Sequence, residues 1–413
     1  MHRVFAVLVC PAPLFLWVTL AAGEPVQFDC TPANCPTLVI EGDAISRLPN
    51  GQPAGFRGFA DPCVRKDPEN HALWMVYSWP HVEYVGGGSR DFVVGVETHL
   101  ASSADGGVTW RRTGVLWPKT PARYGDVRTR IPVDGFVSHE VPNIAPILLD
   151  GTPAWVGVRL DYFLGRSGNY QARNPRSFCL RLMTATSPAA LTNATPVTFG
   201  IAENAPECRV DVNLHALSDD FPLRFIPNEP AVLFKDGRLY LAFVVMAFSG
   251  QKPDFPQSFI AVLSTVPRGG VRSWTWRYHG KLAGHGEASA LGGESLTQIE
   301  LALGQDGRLL ALLTPEAWDV RLAQENSRDP FFGIVHRGVA IVEVASLDSP
   351  ALGRRPDGRL AERAILAASQ DGERGPGAAA YDPASATGVV FTRRDIVPGK
   401  SLSWSLHPTR VHP

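Results

Sequence analysis

One pattern of turn and strand recurs along this chain, and it limits the fold more than anything else in the sequence. "ADPCVRKDPENHALWMVYSW", "IAPILLDGTPAWVGVRL", "NEPAVLFKDGRLYLAFVV" and "IELALGQDGRLLALL" each pair an apolar strand with an Asp-containing turn and a second strand rich in Leu, Val, Tyr or Trp. That is the sequence form of a β-hairpin. "GPGAAAYDPASATGVVFTRR" fits the same mould. Pro62, Pro146 and Pro230 are equally spaced, and the matching Glu300 and Pro376 follow at slightly shorter intervals. Further strands close the early units, in "HLASSADGGVTW", "LRLMTATSPAALTNATPVTFG" and "IAVLSTVPRGGVRSWTWRYHG", and "GVAIVEVASLDSPAL" continues the fourth. Units of four antiparallel strands at such a period predict an all-β, five-bladed β-propeller. It would occupy 55–413 as one domain. Within the preceding 24–54, "TLVIEGDAI" is placed to add a strand to the last blade, "SLSWSLHPTRV", hiding both edges.

The stretch 1–23 reads as a cleaved secretory signal, with Arg3, an apolar run broken by Pro11 and Pro13, and a small-residue exit at Ala21, Ala22 and Gly23. The mature product is therefore expected outside the cytoplasm, periplasmic or extracellular, where disulfides persist. Five of the six cysteines remain after such cleavage, so one stays over. Cys30 with Cys35 and Cys179 with Cys208 are plausible pairs, but spacing alone leaves the connectivity open. No cysteine and histidine spacing resembles a zinc site. With 39 basic and 40 acidic side chains, the chain carries a formal charge of -1 and no basic stripe for nucleic acid. Nor does any later segment suit a membrane, and a monomer is expected.

The segment "SSADGGVTW" spaces Ser103, Asp105, Gly107, Thr109 and Trp110 as a turn, with short polar side chains to accept backbone N–H groups and glycines for positive φ. It resembles the Asp-box, or BNR repeat, of sialidases and related propellers, and "VPRGGVRSWTW" looks like a second, altered copy. The resemblance implies a structural turn between the last two strands of a blade, remote from substrate. It also implies a six-bladed sialidase-type ring as the alternative to five blades.

A propeller's innermost strands line its central cavity, and glycoside hydrolysis usually needs two carboxyl groups flanking the scissile bond. Asp61, Glu140, Glu229, Glu294 and Glu300 stand at or near the starts of the hairpins. Of these Glu300 alternates with Ile299 and Leu301, and can be read as facing outward. Asp61-Pro62 resembles the catalytic-base tract of five-bladed arabinanase- and xylosidase-type hydrolases, and "NEPAVLFKDGRLYLAF" resembles their acid-bearing third-blade tract. This implies Asp61 as base or nucleophile, Glu229 as proton donor, and Glu140 or Glu294 as a third acid tuning both. The chain departs from that pattern where Asn228 stands two residues before Pro230 and where Ala145 replaces a second-blade Asp. "GESLTQIELALGQDGRLLALL" resembles the sialidase tract whose Glu activates a tyrosine, which would cast Glu294 in that role with Tyr381 as a nucleophile candidate. Arg57, Arg159 and Arg337 are candidates for an arginine cluster, and Asn143 and Asn228 for further substrate contacts. Trp79, Tyr84, Trp117, Tyr162, Trp318 and Phe331 are candidates to stack on sugar rings.

The chain thus reads as an exported exo-acting glycoside hydrolase that takes a carbohydrate substrate and requires no cofactor. A structural calcium in the channel stays open. The alternatives are a non-catalytic, lectin-like carbohydrate-binding propeller and a protein-interaction propeller.

Overall fold

The structure is a computed structural model. It describes residues 24–31, 34–84, 92–125, 131–165, 178–202, 208–250, 252–325, 333–367, 376–397 and 401–413. The signal segment and Phe331 lie outside the described residues, as does the side chain of Tyr84.

Among the described residues the strands form five sheets, built in chain order. The first runs outward from Ala60–Lys66 through Leu73–Tyr84 and Phe92–Ser103 to Trp110–Trp117. The second begins at Pro132–Leu149 and continues through Thr152–Gly165, Cys179–Ala185 and Val197–Gly200. The third comprises Phe225–Lys235, Arg238–Ser249, Phe259–Thr265 and Arg277–Ala283, and the fourth Ser295–Leu303, Leu309–Trp318, Gly338–Ser346 and Glu362–Ala367. The fifth has three successive strands, Pro376–Ala380, Val390–Val397 and Ser401–Pro408.

The five first strands stand side by side, each touching the next, and Pro376–Ala380 returns to touch Ala60–Lys66. The core follows the same circuit. One buried cluster joins the second, third and fourth sheets, another the fourth and fifth, a third the fifth and first, and a fourth the first and second. Apolar faces are thus buried sheet against sheet around a closed ring, an all-β propeller.

Residues 24–58 supply edge strands in three places. Phe56–Gly58 runs parallel to Ser401–Pro408 and is the fourth strand of the last sheet. Ile40–Glu41, from the "TLVIEGDAI" stretch expected there, pairs instead with Trp110–Arg111 of the first sheet, although the Leu38 N–H still reaches the Leu406 carbonyl. Val26–Asp29 extends the fourth sheet beside Glu362–Ala367. Each addition covers an outer edge that would otherwise present unpaired backbone groups. Cys30–Cys35 and Cys179–Cys208 are disulfides, and among the described residues Cys63 is the remaining, buried thiol, pushed up to about 12 by burial.

The equal spacing of the three prolines is misleading at its middle point. In three inner strands two residues, the second a proline, bulge opposite one residue of the neighbouring strand: Asp61-Pro62, Val141-Pro142 and Glu229-Pro230. The structural counterpart of Pro62 and Pro230 is therefore Pro142, not Pro146. Proline is tolerated there because the bulge has already broken the ladder and needs no N–H. Ala145 is accordingly not the counterpart of Asp61; Val141 is.

Candidate functional site

At these bulges Asp61, Val141 and Glu229 all have left-handed backbone, with φ of 51°, 51° and 45°. A β-branched valine and a glutamate are uncommon in this region, and strain of this kind persists where the surroundings over-determine the conformation. Here they do. The Asp61 N–H donates to Thr392 Oγ1 of the fifth sheet at 3.0 Å, and the Val141 N–H to Ser78 Oγ of the first sheet at 2.9 Å. Glu229 is the structural equivalent of Asp61, since each opens its bulge immediately before the proline. Glu140 precedes the second bulge, opposite Leu160. The bulge re-aims its residues, so the place of Glu229 one residue after Asn228 does not send its carboxylate to the far face of the sheet.

The three carboxylates lie near enough to oppose one another's ionisation. Burial, and then the charge of Glu140, push the Asp61 carboxyl up to about 7, against the neighbouring Ser78 hydroxyl. Glu229 stands well above the ordinary carboxylate range, first through burial and then through the charges of Asp61, Glu140 and Glu316. Its Oε2 is enclosed with no hydrogen-bond partner among the described residues. Glu229 therefore keeps its proton to higher pH than an ordinary carboxyl does, and the Asp61 carboxyl is raised with it. Buried carboxyl groups whose proton affinity is raised by one another's charge are the setting that acid–base chemistry uses.

Glu316, Arg394 and His336 were not singled out in the sequence. Glu316, fully buried on the second strand of the fourth sheet, is pushed up to about 7 by burial, against the Thr297 hydroxyl and the Arg394 guanidinium. Burial brings Arg394 down to about 10, with the Glu316 charge opposing, and it donates to the Ile334 carbonyl. His336 is held well below its usual range by burial and by Arg394, so its ring is neutral. The signal available in the sequence was a lone Glu in the apolar run "LLALLTPEAW".

A second buried network ties four inner strands together. Arg65 of the first sheet donates to Glu300 and the Leu301 carbonyl of the fourth, and to the Val232 carbonyl of the third at 3.5 Å. Asn143 of the second donates to Glu300 and accepts from the Val232 N–H at 3.1 Å. Glu300 is 1% exposed and points into the ring, contrary to the outward reading. Asn143 is therefore committed to the scaffold, and its place as a substrate contact is not supported by its bonds.

The remaining candidates are dispersed. Glu294 is exposed, and its Oε2 accepts from the Trp318 N–H at 3.3 Å. Arg57 sits on the added outer strand of the last sheet and donates to the Ala54 carbonyl at 2.6 Å. Arg159 donates to Asp161 at 2.8 Å and lies over the Trp117 ring at 4.9 Å, so it belongs to a buried group with Arg181 and His139. Arg337 is exposed and precedes Gly338–Ser346 of the fourth sheet, so it, Arg57 and Arg159 stand on three different sheets. Trp79 stacks on His81 and His99 and donates to the Ala44 carbonyl, while Tyr162 and Tyr381 are buried. Asn228 and Trp318 are half-buried.

The Ser103 to Trp110 segment forms the turn between the last two strands of the first sheet. Ser103 Oγ accepts the Gly107 N–H at 2.8 Å, and Asp105 accepts from the Thr109 backbone and hydroxyl at 2.9 and 2.6 Å. These bonds hold the Asp105 carboxyl down to about 2. Gly106 and Gly107 take φ of 73° and 88°, and the Trp110 ring is buried beneath. Among the described residues no group of three or more His, Cys, Asp or Glu is arranged to hold a metal ion.

No protein-family model matches the chain, and no curated protein sequence does. Solved structures are similar to it at low identity. An α-L-arabinofuranosidase from Fusarium graminearum in complex with an iminosugar inhibitor shares 9% identity, covering 91% of this chain and 97% of its own, with a TM-score of 0.43. A protein of unknown function from Dyadobacter fermentans shares 14%, covering 91% and 99%, with a TM-score of 0.46. An α-L-arabinanase from Penicillium chrysogenum complexed with arabinobiose shares 9%, covering 84% and 80%, with a TM-score of 0.36.

Proposed function

We propose that this chain is an exported five-bladed propeller that hydrolyses terminal glycosidic bonds, each of the five sheets being one blade. The observation that carries the reading is the convergence of Asp61, Glu140 and Glu229 from three separate inner strands, with Glu229 Oε2 enclosed and unpartnered. Protonated Glu229 gives its proton to the glycosidic oxygen as the bond to the anomeric carbon breaks. Asp61 serves the opposite side of that carbon, by taking a proton from the attacking water or by bonding to the carbon itself. Burial, and then the charges of Asp61, Glu140 and Glu316, favour the protonated form of Glu229. In the first case Asp61 then loses its proton to solvent and Glu229 regains one from it; in the second, Glu229 takes a proton from a water that displaces Asp61 from the sugar, which reprotonates Glu229 and frees Asp61 as a carboxylate.

Export rests on the signal-like stretch 1–23. The carbohydrate substrate follows from the chemistry of the paired acids and from the resemblance of the Asp61 and Glu229 tracts to arabinanase- and xylosidase-type hydrolases. The test is a screen of the mature protein against chromogenic arabinofuranosides, xylosides, mannosides, fructosides and sialosides, beside Asp61→Asn and Glu229→Gln. Asp61→Asn is expected to lose activity on every glycoside, and Glu229→Gln to lose it on the corresponding disaccharides, whose leaving groups need a proton, while keeping part of it on the chromogenic sugars. Folded protein inert on every sugar, full activity of Asp61→Asn, or full activity of Glu229→Gln on the disaccharides, overturns the assignment; NMR of the first-formed anomer distinguishes the two roles for Asp61.

A further inference from the structure

Away from Asp61 and Glu229, a second region gathers arginines. Beside the outer strands of the second sheet lies an open cleft of about 870 Å3, lined by Tyr124, Arg181, Thr198, Arg209, Asp211 and Arg272 among others. Arg272 comes from the third sheet, on the Val271–Ser273 turn of the "VPRGGVRSWTW" segment. Arg209 follows Cys208, whose disulfide to Cys179 anchors that wall, and it has left-handed backbone at φ 51°.

Among the described residues the charges in this cleft do not balance. Three guanidinium groups face one lining carboxylate, Asp211, which accepts the Thr198 N–H at 2.9 Å. Arg181 donates to Thr198 at 2.8 Å and to Asp161 at 2.7 Å, but Asp161 also serves Arg159 and His139. One buried carboxylate is thus shared by two arginines, leaving positive charge behind the wall. Arg209 and Arg272 extend it to the exposed rim. Tyr124 adds an aromatic ring, packed on Phe163 at 4.7 Å, that can support a sugar face. Guanidinium groups recognise planar or tetrahedral anions through paired N–H donors.

We infer that this cleft binds an anionic sugar, one bearing a carboxylate or a sulfate group, at a site separate from the acidic channel. The inference does not rest on the hydrolase reading.

Calorimetric titration of the mature protein tests it, using a sulfated heparin-derived disaccharide and a trigalacturonate, with maltotriose as the neutral probe. At least one charged probe is expected to bind, and its affinity to fall as salt is raised from about 50 to about 500 mM. Arg209→Ser with Arg272→Ser, both on the surface, should weaken that binding by about tenfold or more. Arg359→Ser, an exposed arginine elsewhere, should leave it unchanged. Binding of carboxylate, sulfate or both supports the inference and names the preferred group. Absence of binding by both charged probes, equal binding of maltotriose, retention of affinity in the double variant, or the same loss in Arg359→Ser overturns it. Hydrolysis of neutral chromogenic sugars, where present, is expected to be untouched by the double variant, so this site and the channel fail or stand separately.

Discussion

Replacing Asp61 by Asn should make the protein inactive and, above neutral pH, more stable. The Asp61 carboxyl is held at about 7 against 3.8 in its unperturbed state. At about 1.4 kcal/mol per pH unit, keeping it ionised in the native fold costs up to about 4 kcal/mol. The residue is half-buried at the channel wall, and solvent screening reduces this to about 2 kcal/mol. The sign follows from proton counting. Because the folded value is raised, the native state binds more protons than the unfolded state across the interval between the two, and stability falls as pH climbs through it. The penalty is complete above about pH 7 and absent below about pH 4. Asparagine is isosteric, carries no charge and is among the residues that best tolerate the left-handed backbone found there. Thermal unfolding followed by tryptophan fluorescence should therefore show the variant about 2–4 °C more stable near pH 8, with the gain vanishing toward pH 4. Hydrolysis should fall by about a thousandfold. A variant less stable than the parent near pH 8, or equally stabilised at both pH values, would refute the claim that ionised Asp61 is held against its own solvation and its neighbours.

Three further outcomes follow from the geometry. Glu229→Gln should lower kcat/KM by about 10²–10⁴ on glycosides with poor leaving groups, and much less on activated aryl glycosides that leave without protonation, which steady-state kinetics on both substrates will check. Glu300→Gln leaves Arg65 buried without its counter-charge, and urea unfolding should show a loss of about 3–5 kcal/mol. Ser103→Ala removes acceptors within the first-sheet turn and should cost about 1 kcal/mol in the same measurement, while kcat/KM stays at the parent value.

Hairpins were the most legible part of this chain because each is local: an apolar strand, an Asp-containing turn and a second strand report their own pairing. The circuit of sheets was legible for the same reason, since recurrence at similar intervals places successive units side by side. Which edge each piece of 24–58 covers was not, because such short outer strands carry too little pattern to select a partner. Ile40–Glu41 and Phe56–Gly58 are separated by a short stretch yet complete different sheets.

The site shows where sequence spacing gives way to backbone geometry. Equal intervals between prolines selected Pro146 and made Ala145 look like a missing acid. A bulge shifts the true counterpart to Pro142, and the second sheet then contributes Glu140, one residue before its bulge. Bulges break the two-residue period on which inward and outward assignments depend, so the faces of Asp61 and Glu229 follow from their shared bulge and not from alternation. Glu300 follows the opposite logic: its place between Ile299 and Leu301 suited an outward side chain only if the ring's interior were apolar, and Arg65 makes it polar. Glu316 escaped notice because it belongs to a second strand, which alternation assigns to packing. A carboxylate within such a run is costly to bury, and here the cost is offset in part by Arg394 and expressed as the raised proton affinity of Glu316 itself. An isolated acid on an otherwise apolar second strand is therefore a better pointer to this channel than a proline at constant spacing, since only the acid demands a physical reason to be there.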